Sequence, residues 1–132
     1  MGQPLNIRAY EKYDYPTVNA WWKEHNQAVI EQDLLSDVGI VIENENGMIA
    51  VGWVYLSNSK LGKLGFIVAN PRARPREKIK AIHMIIIEAE RILKELGFTY
   101  IQMLSNQSTL TKMARQNGWC DVVPHDVVGK QI

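Results

Sequence analysis

Apolar residues recur at alternating steps of three and four along one long stretch in the second half of the chain. This spacing places them on one stripe of a helix, predicted from about residue 76 to residue 96. The stripe consists of Ile79, Ile82, Ile86, Ala89, Leu93 and Leu96, and Ile85 and Ile92 widen it. Charged residues occupy the opposite side, so the helix is predicted to lie along a sheet. Gly97 suits the left-handed position that follows a helix.

Apolar runs and turn residues on either side of this helix predict the remaining elements. Strands are predicted at 5–10, 38–43, 48–56, 61–69 and 99–104, with short closing strands at 119–123 and 126–128. Further helices are predicted from Asp14 and Pro16 to residues 25–26, at 27–35 and at 109–116. Asn46-Gly47 is a strong signal for a tight hairpin turn. Gly62 and Gly65 indicate a bulge or a close ligand within their strand.

The order of these elements predicts a mixed α+β sandwich built around one sheet. The strands from 38 to 69 form an antiparallel meander. The long helix then makes a right-handed crossover, which places the strand at 99–104 parallel to the strand at 61–69. A chain of 132 residues is long enough for one core, so residues 1–132 are predicted to form a single domain.

Composition narrows the classes of protein. No apolar run approaches the roughly 18 to 20 residues of a membrane helix, and the N-terminus does not resemble a signal peptide. We therefore expect a cytoplasmic protein with no membrane partner. The lone Cys120 excludes an intrachain disulfide and is expected to be a small buried hydrophobe. A net charge of +1 gives no general attraction to nucleic acid, so such a partner is not expected.

Cations are concentrated where the strand at 61–69 leads into the long helix. They are Arg72, Arg74, Arg76, Lys78 and Lys80, against Glu77 alone. A helix N-terminus presents free backbone N–H groups and a positive dipole end, so this junction suits a phosphorylated ligand. The alternative is a solvated basic loop, because the glycines that bring phosphates close to backbone are missing here.

Several aromatic and histidine side chains have two possible roles. Trp21 is expected in the core, whereas Trp22, Lys23 and His25 are either exposed or line a cleft. His83, at the edge of the apolar stripe, is expected to be partly buried and structural. Three scattered histidines and one cysteine give little support for a metal site.

The chain resembles the GNAT-type acyl-CoA N-acyltransferases over almost its whole length. The resemblance rests on Phe66-Ile67-Val68-Ala69-Asn70-Pro71 with Arg74 three residues beyond the proline, on the helix that ends Glu95-Leu96-Gly97-Phe98, and on Asn106 and Asn117-Gly118-Trp119. The segments 21–25 and 52–59 make it more similar to a small GNAT-like branch common in phages and prophages.

This resemblance implies a parallel pair of strands splayed around a cofactor cleft, helices on both faces of the sheet, and acetyl-CoA as cosubstrate. The implied cofactor-binding residues are Phe66, Ile67, Val68, Arg72, Arg74, Arg76, Lys78 and Asn106. Two features of the family pattern differ, at three positions. The glycines of the pyrophosphate loop fall on Glu77 and Ile79, so the loop is degenerate, and the tyrosine of the last helix falls on Ala114.

The resemblance implies acyl transfer from a CoA thioester to an amine, by an acetyl-CoA-dependent N-acetyltransferase. No catalytic residue is assigned. Lys63 lies near the strand position at which the family often has a glutamate. The candidates for proton transfer are Glu24, His25, Asp33, Glu43 and Glu45. The alternative is a catalytically inactive GNAT-like binding or phage-particle-associated protein. Both alternatives are compatible with a monomer or with a homodimer whose interface includes Tyr13, Tyr15 and Trp119. If the protein is phage-encoded, the expected location is the host cytoplasm.

Overall fold

The computed structural model describes residues 4–103, 108–120 and 128–132. These residues form one five-stranded sheet and three helices. The elements are β1 (Asn6–Ala9), α1 (Tyr15–Glu24), β2 (Val38–Asn44), β3 (Gly47–Leu56), β4 (Leu61–Ala69), α2 (Pro75–Glu95), β5 (Tyr100–Gln102) and α3 (Ser108–Gln116). Two short 3-10 turns, Lys12–Asp14 and Gln32–Leu34, lie before and after α1.

The strands lie in the sheet in the order in which they occur in the chain. β1 to β4 are antiparallel neighbours, and β5 runs parallel to β4 at the edge. The predicted meander and the predicted parallel pair are both confirmed, because α2 carries the chain back to the start of β4.

Each face of the sheet has its own core, since alternate residues of β2, β3 and β4 point to opposite sides. On one face Ile42, Val54 and Leu64 pack with α2 and α3. On the other face Val41, Trp53 and Val68 pack with α1. The prediction of helices on both faces is therefore confirmed.

The long helix differs from its prediction only at its ends. It begins at Pro75, and its buried residues are Ala81, Ile82, Ile85, Ile86, Ala89 and Leu93. Ile79 and Leu96 were expected on the buried stripe, but they are 47% and 55% exposed. Ile79 is the fifth residue of the helix and Leu96 follows its last residue, so both lie outside the part of the helix that is buried on the sheet.

The predicted helix at 27–35 is wrong apart from the turn Gln32–Leu34. We refer to residues 27–35 as the strap. Three tyrosine hydroxyls fix it at 2.8 Å each: Tyr15 donates to the Ile30 carbonyl, Tyr10 to Gln32 Oε1 and Tyr55 to the Leu34 carbonyl. Burial raises the pKa of Tyr10 to about 12, so its hydroxyl remains a donor at neutral pH.

Two side chains have the opposite exposure from that expected. Trp22 is buried, only 2% exposed, because its ring packs 5.8 Å from that of Trp53. Cys120 is exposed, so it is not a core hydrophobe. The predicted closing strands are wrong at Trp119, Cys120 and Val128, which have no strand structure, and they otherwise lie outside the described residues.

Gly39 of β2 lies between Tyr10, the residue after β1, and Trp53 of β3, and this packing gives a prediction about stability. A β-carbon at this position would lie 2.4 Å from Tyr10 Cβ and 3.0 Å from Trp53 Cδ1, and both neighbours are buried. We expect Gly39→Ala to lower the free energy of unfolding by about 2 kcal/mol, because an added carbon in a packed core forces its neighbours to shift.

The matched control is Gly65→Ala, where the nearest atom, Tyr55 Cε1, is at an ordinary 3.7 Å. We expect it to stay within about 0.5 kcal/mol of the parent. Urea denaturation of both variants measures the difference. Equal stability of the two would contradict the packing described at Gly39.

Candidate functional site

A bulge interrupts β4 near its middle. Trp53 pairs with Gly65 and Val51 pairs with Val68, so β4 uses three residues where β3 uses two. Phe66 within the bulge has φ of 56°, in the left-handed region. The bulge predicted for this strand is confirmed near Gly65. Gly62 has a different role, because a β-carbon there would lie 2.5 Å from Leu93 Cδ2, so this glycine lets α2 approach the sheet.

β4 and β5 pair along only a short part of their length. The parallel register joins Leu61–Lys63 to Tyr100–Gln102, and β4 then continues for six more residues to Ala69. Within the described residues, no strand pairs with this second half of β4 on its β5 side. Along that edge its backbone groups therefore have no strand partner among the described residues, and the Ala69 carbonyl lies 2.9 Å from His25 Nε2.

Asn70 shapes the turn between β4 and α2. Its backbone N–H donates to the Ile49 carbonyl at 2.7 Å, and its Nδ2 donates to the Met48 carbonyl at 3.1 Å. Its Oδ1 accepts the N–H of Arg72 at 2.9 Å. These bonds tie the turn to the start of β3 and fix where α2 begins.

The predicted cations of this turn differ in their partners. Arg72 forms an ion pair with Glu24 at 2.6 Å, and the hydrogen bond that Arg72 donates to this carboxylate raises the pKa of Arg72. Lys78 Nζ donates to the Pro71 carbonyl at 3.1 Å. Arg74 and Arg76 are exposed, and neither side chain has a hydrogen bond or ion pair to any residue that the structure describes. Of the four predicted anion-binding side chains, two are therefore free.

The N-terminus of α2 has no side-chain cap. The free cations Arg74 and Arg76 stand at its first turn, where the helix dipole is positive. Glu77 occupies the third position, and its Oε2 accepts a hydrogen bond from Asn44 Nδ2 at 3.0 Å. An open depression of about 200 Å³ lies beside it, between the β2–β3 turn and the β4–α2 turn. Glu77 is thus held towards β2, while the side chain of Ile79 is exposed.

The three predicted strand residues point in different directions. Phe66 is 43% exposed, whereas Ile67 and Val68 are 8% and 4% exposed. Ile67 packs in the core under α2 and Val68 in the core under α1. Their side chains anchor the strand, so any contact they make with a ligand is through the backbone. Asn106 lies outside the described residues.

Three of the candidate proton-transfer groups have partners in the structure. Glu24 pairs with Arg72, Glu43 pairs with Arg8, and His25 Nε2 lies 2.9 Å from the Ala69 carbonyl. Ala114, at the family tyrosine position, is buried within the helix packing. Lys63, Asp33 and Glu45 are exposed, and no described residue stands out as an acid or base.

His83 has the structural role expected of it. It is partly buried, and Asn117 Nδ2 lies 3.0 Å from its Nδ1. The same amide donates to the Met113 carbonyl at 2.9 Å, so the pair joins α2 to α3. Within the described ranges no group of three histidine, cysteine or acidic residues could hold a metal ion, and no helix there is long and apolar enough to cross a bilayer.

The structure has an antiparallel meander, a parallel edge strand that pairs with only the first part of β4, a bulge beyond the paired part, and helices on both faces. This arrangement matches the GNAT-type acyl-CoA N-acyltransferase fold. Solved structures agree over nearly the whole chain. A Mycobacterium tuberculosis protein in complex with CoA superposes with a TM-score of 0.74, at 13% identity, over 93% of this chain and 76% of that one.

Two further structures share the fold. The ribosomal-protein alanine N-acetyltransferase of Escherichia coli gives a TM-score of 0.71 at 11% identity, over 91% of this chain and 80% of that one. A transcriptional regulator of Bacillus halodurans gives 0.69 at 15% identity, over 98% and 100%. No protein-family model and no curated protein matches the sequence. The common fold hosts proteins with different described roles, so it does not by itself fix the activity.

Proposed function

We propose that the protein binds acetyl-CoA and transfers its acyl group to an amine. The observation that carries this proposal is the bulged edge of β4, which leads directly into an uncapped helix N-terminus with two free arginines. The CoA-bound structure of the same fold supports it. The cytoplasmic location expected from the sequence, and the phage or prophage source that the resemblance implies, are part of the proposal.

The residues present fit a CoA thioester. The edge of β4 from Leu64 to Val68, which pairs with no described strand on its β5 side, presents N–H and C=O groups to an amide-containing arm, as one strand does to another. Arg74 and Arg76 offer charged donors to a pyrophosphate. Because Glu77 and Ile79 replace the glycines, we expect side chains rather than backbone to make most of the phosphate contacts.

The thioester would supply an activated acyl carbon, to which the acceptor nitrogen bonds as the carbon–sulfur bond breaks and the amine proton passes to the thiolate. The chain's contribution is to hold both substrates at the β4 bulge, since orientation alone contributes several kcal/mol to such a reaction. This accords with the absence of an evident acid or base among the described residues.

The test is a calorimetric titration of acetyl-CoA into the protein and into the Arg74→Glu, Arg76→Glu variant. We expect binding to the parent and a loss of about tenfold or more in the variant, because two charge-assisted contacts become repulsive. The control is Lys12→Glu with Lys94→Glu, which makes the same change in net charge at two other exposed positions. Lys94 is 18 residues after Arg76, about 27 Å along the helix.

Unchanged affinity in the arginine variant, or an equal loss in the control, would show that these residues do not hold the cofactor. Absence of any binding at millimolar acetyl-CoA would refute the proposal as a whole.

A second candidate is a binding protein that has kept the fold without the chemistry. Ala114 at the tyrosine position and the engagement of Arg72 and Glu77 by other side chains favour it. Release of free CoA thiol in the presence of an amine separates the two candidates. Binding of acetyl-CoA without any release of thiol would favour the second.

A further inference from the structure

The residues that the structure describes leave part of the sheet uncovered on the side opposite α2, next to the bulge. We define the open face as Tyr55, Lys63, Phe66, Tyr100 and Gln102. Tyr55 is two residues after Trp53 and so lies on the α1 side of the sheet. Lys63 pairs with Tyr55, and Gln102 pairs with Lys63. Ile101 packs in the core under α2, so its neighbours in β5 point to the open face.

Phe66 is on this face in an unfavourable conformation. A bulky residue with φ of 56° costs about 1–3 kcal/mol, which glycine or asparagine would largely avoid. Burial does not offset this cost, since the side chain is 43% exposed. The Phe66 ring centroid lies 6.0 Å from that of Tyr55, in a T-shaped arrangement. A residue that is both strained and exposed beside a bulge is typical of a ligand contact.

Tyr55 is fixed beside Phe66 before any ligand arrives. Its hydroxyl donates to the Leu34 carbonyl at 2.8 Å, and its ring lies over Gly65, where a β-carbon would be 3.7 Å from Cε1. Leu34 itself is 61% exposed. The strap and the bulge thus present a preformed aromatic surface, with the two rings at an interplanar angle of 77°.

Charge on the open face comes from Lys63. Its side chain is exposed and has no hydrogen bond or ion pair to any residue in the described part of the chain. The amide of Gln102 is its neighbour in the parallel register. An unpaired ammonium group beside two aromatic rings is complementary to a molecule that combines an aromatic ring with an anion.

We propose that the open face is the acceptor subsite and that it takes a small amine bearing an aromatic ring and a carboxylate, such as an aromatic amino acid. The ring packs against Tyr55 and Phe66, the carboxylate binds Lys63, and the amine faces the β4 edge. This inference rests on the proposed function, since the same bulge would present the thioester.

Binding of amino acids to the purified protein tests the inference without requiring turnover. L-phenylalanine, L-phenylalaninamide and L-alanine are titrated while ligand-observed NMR reports binding. We expect L-phenylalanine to bind at least tenfold more tightly than L-alanine, which lacks the ring, and several-fold more tightly than the amide, which lacks the carboxylate.

Two variants assign the contacts. Phe66→Asn, which suits the left-handed conformation, is expected to weaken L-phenylalanine binding at least tenfold. Lys63→Gln is expected to abolish the preference for L-phenylalanine over its amide. Tyr13→Asn removes an aromatic ring that is 73% exposed elsewhere on the surface and serves as the control.

Equal binding of L-phenylalanine and L-alanine, no binding of either, or no effect of Phe66→Asn would each overturn the acceptor assignment. The proposed function is judged separately, by acetyl-CoA. If acetyl-CoA binds and L-phenylalanine does not, only the acceptor assignment fails. If acetyl-CoA does not bind, the proposed function fails whichever amino acid is bound.

Discussion

Replacing Trp53 with alanine is expected to lower the free energy of unfolding by about 3–5 kcal/mol, the range for truncating a large buried aromatic residue. Trp53 is fully buried in β3. Its ring contacts Tyr10 edge-on at 5.1 Å and Trp22 at 5.8 Å, so it joins β1, β3 and α1. A loss of this size is a large share of the stability of an ordinary domain.

A comparison of Trp53→Phe with Trp53→Ala tests the role of the Trp53 indole nitrogen. Trp53 Nε1 is buried and has no hydrogen-bond partner among the described residues. Trp53→Phe removes that unpaired donor, which partly offsets the lost packing. We therefore expect a loss clearly smaller than that of the alanine variant. Leu56→Ala, at an exposed end of the same strand, is the control and is expected to change stability little. Chemical denaturation measures all three, and equal losses for alanine and phenylalanine would contradict the description of the indole.

Removing the guanidinium of Arg8 is expected to cause the second large loss of stability, and the size of this loss depends on pH. Arg8 holds the buried carboxylate of Asp14 through two hydrogen bonds of 2.9 Å. Arg8→Met leaves that charge buried without its partner, so we expect a loss of about 3 kcal/mol at neutral pH. Arg8 also contacts Glu43 at 3.0 Å, but Glu43 is more exposed, so Glu43→Gln is a milder control.

The direction of the pH dependence follows from the pKa of Asp14. Burial alone would raise it, but the hydrogen bonds from Arg8 and from the N–H of Glu11 hold it below its ordinary value of 3.8. In the parent this carboxylate therefore contributes its full stability above about pH 3.8 and loses it as the pH falls through the folded pKa. The deficit of Arg8→Met should be greatest at neutral pH and shrink in acid. A constant deficit from pH 3 to pH 7 would contradict this account of Asp14.

The sequence predicted most of the sheet because its strands are bounded by clear local signals. Asn46-Gly47 determined the β2–β3 turn, and β4 was predicted with the bounds that the structure shows, Leu61–Ala69. The central stripe of α2 was predicted for the same reason, since its period is a local property. The sheet order and the bulge near Gly65 followed from these elements.

Contacts between distant residues could not be predicted in the same way. The strap has helix-like apolar spacing, but it is held by hydroxyls of tyrosines 15 to 22 residues away in the chain. Trp22 is buried because Trp53 lies beside it. In the candidate site the five cations looked equivalent in sequence. Only the fold shows that Glu24, 48 residues away, pairs with Arg72, while Arg74 and Arg76 have no side-chain partner among the described residues.

The bulge in β4 also bears on how the chain avoids self-association. Beyond Lys63, the segment Leu64–Ala69 is uncharged, rich in residues that favour strands and unpaired along one edge within the described structure. Such an edge is a template on which a second copy could add its own strand, as in amyloid assembly. A bulge bends and twists the strand and breaks the regular ladder that strand addition requires. The irregularity that exposes the backbone to a ligand therefore also protects the protein from aggregation along the same edge.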